Sequence, residues 1–525
     1  MEPTHEVTNQ PDMTPDGDLY ASDPILRHWL AETGGAEAPV AAYGARLGGL
    51  REAGREANRY PPELRLFDRG GRRLDEVAFH PAYHAQMAAG VAAGYAALPW
   101  EGEKGGHAAH AAMVYMLSQV DPGVCCPLTM TYAGIPALRD AGGPPVWLER
   151  LASRTYDPAV RPVGEKAGAT LGMAMTEKQG GSDVRTNATR AEKDGTDWRL
   201  TGHKWFCSAP MSDGFLTLAQ APGGLTCFLV PRWLPDGGRN AVHLMRLKDK
   251  LGNRSNASAE IEYHRAHAVL IGEEGEGVRT ILRMVHHTRL DTAMAPAGLM
   301  RAALAEALRW CEGRVAFQRR LVDQPLMRCV LADLALDLEG SLALGLHVAR
   351  AFDGDTALAR IGVALAKYLS NKLAPGVVCE AMEVLGGMGY VEDTPLPMLY
   401  REAPLNAIWE GSGNVICLDV LRTLAREPAS RAALEEELDA GRGLAAFDAA
   451  LAAFRARWPR EVPESEARWF TETAATLLTA SVLLRFAPGP VGAAYAATRL
   501  AGARGRTAGA LAVADAESML RRIRA

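Results

Sequence analysis

MTEKQGGSDVRTN, residues 175–187, is the stretch on which the reading of this chain turns. It closes a strand-like run, GATLGMAM, and then sets a threonine, two glycines, a serine and an aspartate in order. Gly180 and Gly181 remove the side chains that would block a close approach. Backbone N–H groups and hydroxyls can then reach a phosphate or the edge of a planar cofactor. The same residues would also make an ordinary polar turn with an Asx cap.

Two further segments carry chemistry. GHKWFCSAP, 202–210, puts Trp205 and Phe206 beside Ser208 in a β context. Phe206 and Ser208, two apart on one face, could cover a planar group and hydrogen-bond its edge, although an aromatic in a strand is also ordinary core. AIWEGSGNVICLDVLR, 407–422, places Glu410 between an aromatic and a Gly-Ser-Gly turn, ahead of an amphipathic helix. Apolar and glycine neighbours disfavour the charged carboxylate and move it towards the range of a general base. The alternative is a glutamate that caps or merely precedes a helix N-terminus at 411–414.

The texture around these segments changes three times. Residues 1–24 are polar and Pro/Asp-rich, and DPILRHWLAETGG opens Ala-rich amphipathic segments that run to about 165. Short β-type runs separated by turn residues fill 166–276, long helical periodicity returns over 277–425 with the length of a four-helix bundle, and 426–525 is again helical. The predicted class is mainly α with an inserted small β domain. Its predicted domains are 1–165, 166–276, 277–425 and 426–525.

At 525 residues the chain exceeds one compact core. A net charge of −5 argues against a wholesale polyanion binder, so any basic surface is local. Such a surface is offered by 485–524, where seven arginines face Asp515 and Glu517. Eight cysteines include no C-x-x-C pair, so they read as buried thiols in a reducing compartment, with no metal site. The N-terminus lacks a signal pattern and no stretch is apolar enough to span a bilayer, which predicts a cytoplasmic protein.

Together the motifs resemble the acyl-CoA dehydrogenase family. TEKQGGSD looks like its flavin loop and GHKWFCS like its G-x-K-x-W-I-T segment. LKDKLGNRSNAS, IGEEGEGVRTIL, GRVAF, LGGMGY and LYRE…IWEGSGN follow in the family's order. The resemblance implies a helical N-terminal domain, a small β-barrel domain and a four-helix bundle, with FAD, an acyl-CoA thioester substrate and a homotetramer. It assigns flavin contacts to Met175, Thr176, Gly180, Gly181, Ser182, Asp183, Val184 and Ser208, and to Ile408, Trp409, Gly411, Ser412, Gly413, Asn414 and Leu418. Arg314 would reach the pyrophosphate of a neighbouring subunit's FAD. Glu410 would be the base that takes the α-proton. One branch of the family carries its base ahead of a helix arginine, and here that position is Thr288, before Arg289. Gln318 and Glu383 depart from the family's usual Gly and Gln.

TEKQGGSD, RSNAS, QPLMR and WEGSGN, with the C-terminal extension, resemble the AidB subgroup. That likeness implies double-stranded DNA binding and a part in the response to DNA alkylation, with weak dehydrogenation at most. The arginines it would use are Arg422, Arg499, Arg504, Arg506, Arg521 and Arg522. The alternative is a metabolic short- or branched-chain enzyme whose extension serves assembly alone.

Overall fold

The computed structural model describes residues 4–11, 17–102, 104–505, 507–509 and 513–524. The chain forms two compact units, one of residues 38–291 and one of residues 1–37 with 292–525. Among the described residues no helix is long and apolar enough to cross a membrane.

In the unit 38–291, the helices Pro81–Ala93, Gly106–Leu117 and Pro122–Asp140 lead into a β-barrel. Pro136 cannot donate to the carbonyl four residues back, at Tyr132, and the Trp100 indole N–H donates to that carbonyl instead, at 3.2 Å. Within the region expected to be helical lies a hairpin, Glu63–Phe67 with Arg73–Ala78. The reason is local: Asp68 accepts the amides of Gly70 and Arg72, and Gly71 takes the positive φ the turn needs.

The barrel closes because Gly214–Ala221 pairs with Gly224–Pro231, which completes a ring through Ser258–Leu270, Asp197–Ser208 and Arg190–Asp194. Closure removes the exposed edges an open sheet would present. Trp198, Phe215, Phe228 and Tyr263 fill the interior. Two bulges break the Asp197–Ser208 pairing with Ser258–Leu270. At one, Arg265 takes the extra place with φ 58. At the other, Trp205 and Phe206 stand against Glu260 alone, which turns two adjacent aromatics outward while Lys204 and Cys207 both point inward.

In the other unit, Pro325–Phe352 and Thr356–Val384 pack together, and Gly413–Arg426, Pro428–Ala440 and Ala467–Phe486 pack on them. Pro296 interrupts the ladder of the helix Gly277–Gly313. Asn371 donates to the freed Thr292 carbonyl at 2.8 Å and Ser370 to that of Ala293 at 2.9 Å.

The extension beyond 425 is no separate lobe. Val513–Ile523 lies against Pro325–Phe352 and against the first helix, Pro24–Glu32, whose Trp29 indole donates to Glu339. Thus the described residues of 426–525 and the helix Pro24–Glu32 belong to one compact unit with the bundle. Seven of the cysteines are buried as expected, but Cys379 is exposed.

Candidate active site

The strand Leu171–Ala174 delivers the loop 175–187, and one buried carboxylate shapes it. Glu177 accepts from Lys204 Nζ at 2.7 Å, Thr189 Oγ1 at 2.6 Å, and the amides of Ala188 at 2.6 Å and Thr189 at 3.2 Å. Lys204 also donates to the Leu218 carbonyl. Both side chains are fully buried. Burial works against the Glu177 charge, but Lys204 and the Thr189 hydroxyl hold its carboxyl below the usual range. Burial in turn lowers the Lys204 ammonium, with Glu177 partly restoring it.

Pinned from inside, the loop turns outward at its tip. Gly180 has φ 146 and open space where a Cβ would stand, whereas a Cβ on Gly181 would meet Thr176 Oγ1 at 2.3 Å. Ser182 and Asp183 are exposed, and Met175, Thr176 and Val184 are half-buried. Asp183 accepts the Arg185 amide at 3.3 Å, so an Asx cap is also present. The Trp205 amide donates to the Thr176 carbonyl at 2.8 Å, joining the loop to the strand that carries Ser208. Lys248 Nζ sits 3.4 Å from the Trp205 ring centre, while Phe206 keeps an exposed face. The loop thus offers what a planar, anionic cofactor requires: side-chain-free backbone at Gly180, hydroxyls at Thr176 and Ser182, and an aromatic face nearby.

On the unit containing 292–525, Glu410 occupies a strained turn. Its φ is 56, and Gly411 follows at 101. A left-handed glutamate costs about 1–2 kcal/mol and persists only where neighbours over-determine it. The neighbour here is Lys367, buried in Thr356–Val384. Its Nζ donates to the carbonyls of Asn406 and Trp409 at 3.0 Å each and of Gly411 at 2.8 Å. The Trp409 indole donates to Asn406 Oδ1. Glu410 is half-buried. It is not the helix cap: that position is Ser412, whose side chain makes no capping bond at the start of Gly413–Arg426. Lys372 and Arg468 flank Gly413, and Arg468 Nε donates to Asn414 at 2.7 Å. A helix N-terminus between two cations favours an anion.

Residues 9–158 match the Adaptive response protein AidB N-terminal domain family. Residues 172–266 match the middle domain and 275–425 the C-terminal domain of acyl-CoA dehydrogenases. A putative acyl-CoA dehydrogenase AidB of Escherichia coli (strain K12) is 48% identical over 439 residues, covering 81% of each chain. The chain belongs to the acyl-CoA dehydrogenase family. Acyl-CoA dehydrogenase family member 11 of Caenorhabditis elegans is 31% identical over 77% of this chain and 70% of its own. A solved structure of C. elegans ACDH-11 in complex with C11-CoA superposes with TM-score 0.81 at 27% identity, covering 99% of this chain and 93% of that one. Acyl-CoA dehydrogenases are FAD-dependent oxidoreductases, and this chain is one of them.

Membership sharpens the remaining residues. Thr288, where another branch of acyl-CoA dehydrogenases has its base, is buried and donates to its own helix at Val285. Arg314 stacks 4.9 Å from the Trp310 ring and donates to the Asn9 carbonyl at 2.9 Å. After it comes a hairpin, Val315–Ala316 with Arg319–Arg320. Its two turn residues, Phe317 and Gln318, have φ 51 and 61, so Gln318 occupies a conformation that explains the family's usual glycine. Phe317 is 97% exposed. Glu383 lies exposed in the last turn of Thr356–Val384, and Ile408 and Leu418 are exposed as well.

The expected arginine face is largely inside. Arg499, whose side chain is 7% exposed, lies 2.6 Å from Asp333 and 2.8 Å from Asp337. Arg522 donates to Glu339 at 2.8 Å, and Arg504 lies 3.6 Å from Asp333. These three bind the extension to the buried acids of Pro325–Phe352 and are not a free phosphate face. Arg422 and Arg521, 58% and 69% exposed, do face solvent. Arg506 lies outside the described residues.

Sequence reasoning missed Glu177, Lys204, Lys367, Lys372 and Arg468. Lys204 had a signal: it falls on the same alternation as the inward Trp198 and Leu200, and a lysine on a barrel's core face requires a buried carboxylate.

Proposed function

We propose that the chain removes the α-proton of an acyl-CoA thioester with the Glu410 carboxylate, as an acyl-CoA dehydrogenase of the AidB kind. FAD, when bound, supplies the acceptor for the β-hydrogen as hydride. The observation that carries this reading is the Glu410 turn: a carboxylate held at an unfavourable φ by three hydrogen bonds from one buried lysine. Strain maintained at that cost is a mark of a residue whose direction matters.

The flavin contacts follow the family's motifs. On one unit they are Met175, Thr176, Gly180–Val184 and Ser208. On the other they are Arg314, Ile408, Trp409, Gly411–Asn414 and Leu418. Ser412 and Asn414 at an uncapped helix start, with Lys372 and Arg468 beside them, suit the diphosphate. A homotetramer is favoured by Phe317, an almost fully exposed aromatic next to Arg314. The deciding experiment is anaerobic titration with an acyl-CoA chain-length panel. Glu410→Gln should keep its FAD and lose flavin bleaching, and bleaching by this variant at the parent rate would refute the assignment.

The second reading, binding of double-stranded DNA in a response to alkylation, is favoured by the solvent-facing Arg422 and Arg521. Sequence-independent phosphate contacts would make such binding fall steeply with salt. A gel shift insensitive to Arg422→Ala together with Arg521→Ala would remove this reading.

A further inference from the structure

Inside the unit 38–291 lies a cavity of about 370 Å³ that shares no residue with the loop 175–187, with Ser208 or with the Glu410 turn. Its walls come from the hairpin Glu63–Phe67 and Arg73–Ala78, the helix Pro81–Ala93, the segment 156–166, and the connection 209–213 between two barrel strands. That volume is within the range of small-molecule sites.

Three polar groups in these walls are buried, one a guanidinium without an ion-pair partner and two without a hydrogen-bond partner. Arg232 is 8% exposed; it donates to the Asp75 carbonyl at 2.9 Å and meets the Met211 sulfur at 3.3 Å. Among the described residues no carboxylate lies within ion-pair distance of it. Ser212, 2% exposed, has a hydroxyl without a hydrogen-bond partner, and so has the buried indole N–H of Trp233. A native core rarely leaves such groups unmet.

The acids nearby are mostly committed elsewhere. Asp213 accepts Lys166 Nζ at 2.6 Å and the Thr170 amide at 2.9 Å. Asp157 accepts Arg161 and the amides of Ala159 and Ala167. Glu76 is the remaining acid of the wall, and it is partly exposed. Burial and the nearby Arg239 push the Arg232 guanidinium down, and the more distant charges of Asp213, Glu76 and Asp75 oppose them only in part. The opposite wall is apolar, with the Phe79 and Tyr83 rings stacked at 4.1 Å and Met87 beside them.

We propose that this cavity binds a small organic monocarboxylate with an apolar body. The carboxylate meets the Arg232 fork and the Ser212 hydroxyl, and the body lies against Phe79, Tyr83 and Met87. A guanidinium fork matches a carboxylate in two parallel hydrogen bonds, which an ammonium cannot reproduce.

The test is calorimetric titration of the full-length holoprotein with benzoate and with hexanoate at fixed ionic strength, using benzamide as the neutral isostere. One-site saturable binding of at least one carboxylate is expected, with benzamide roughly tenfold weaker or worse. Arg232→Lys should weaken binding about tenfold and Ser212→Ala several-fold, in keeping with loss of charge-assisted bonds. Ser212→Ala removes a hydroxyl that has no partner, so it keeps the fold even if Arg232→Lys does not. The proposal is overturned by the absence of saturable binding of either carboxylate, by benzamide binding as tightly as benzoate, or by affinities unchanged in Ser212→Ala.

Discussion

Lys204 Nζ lies 2.7 Å from Glu177 Oε1 with both side chains wholly enclosed, one on a barrel strand and the other in the loop that follows Leu171–Ala174. The pair converts two sequence motifs into one rigid piece. Without it the outward turn at Gly180 would have no inner anchor.

Removing one partner should therefore cost far more than removing both. Lys204→Met leaves a buried carboxylate unpaired and should lose about 3–5 kcal/mol in denaturant unfolding. Adding Glu177→Leu to that variant should restore most of the loss, because a well-packed apolar pair escapes the desolvation penalty. FAD occupancy, read from the absorption spectrum, should stay low in the double variant, since the loop has lost its anchor. A double variant as unstable as Lys204→Met would mean that the ion pair is not what holds the loop.

Glu410 should show opposed effects on stability and function. Glu410→Gly relieves a left-handed backbone and should raise stability by up to about 1 kcal/mol. The same variant should fail to bleach its flavin with acyl-CoA. Lys367→Met, by contrast, strips three carbonyls of a charged donor and should cost about 3 kcal/mol or more. It should also slow proton abstraction with Glu410 still present. Equal melting temperatures for Glu410→Gly and Glu410→Gln would argue against strain at this turn.

The arginines of the extension should separate into two groups. Arg499→Met leaves Asp337 buried without its cation and Asp333 with only the more distant Arg504, and should cost about 3–5 kcal/mol. Arg521→Ala should change stability by no more than about 0.5 kcal/mol. Thermal denaturation of the two variants side by side distinguishes them. Only the second group is suited to a gel shift, because a DNA effect of Arg499→Met would be confounded by its loss of fold.

Acid should weaken the unit 38–291 through His287. Burial pushes this histidine down to about 4, with the bond to the Arg283 carbonyl only partly opposing. Above the ordinary histidine pKa of about 6.5 neither folded nor unfolded state holds the proton, so the group is silent. Below it the unfolded chain takes up a proton that the folded chain refuses, and stability falls until about pH 4. The loss amounts to about 3 kcal/mol. His287→Gln should flatten this part of the stability–pH curve, and a curve parallel to the parent's would exclude His287 as the cause.

Much of this protein is local and could be read directly. Turn residues at short intervals mark the barrel strands, 3.6-residue periodicity marks the long helices, and Gly180, Gly411 and the Ser412–Asn414 helix entry announce themselves by residue type. The hairpin at 63–78 was missed because its alternation lies inside an Ala-rich helical surround. What no local pattern contains is the pairing of charges distant in sequence. Arg499 reads as one more surface arginine until Asp333 and Asp337 are seen around it, and Glu177 as one more loop acid until Lys204 closes on it. Whether a charge faces water or a partner depends on which elements pack together, and burial makes that choice worth several kcal/mol. The sequence therefore determined the elements, the family and the candidate base. Only the tertiary structure decided which charged residues hold the fold together and which remain free to act.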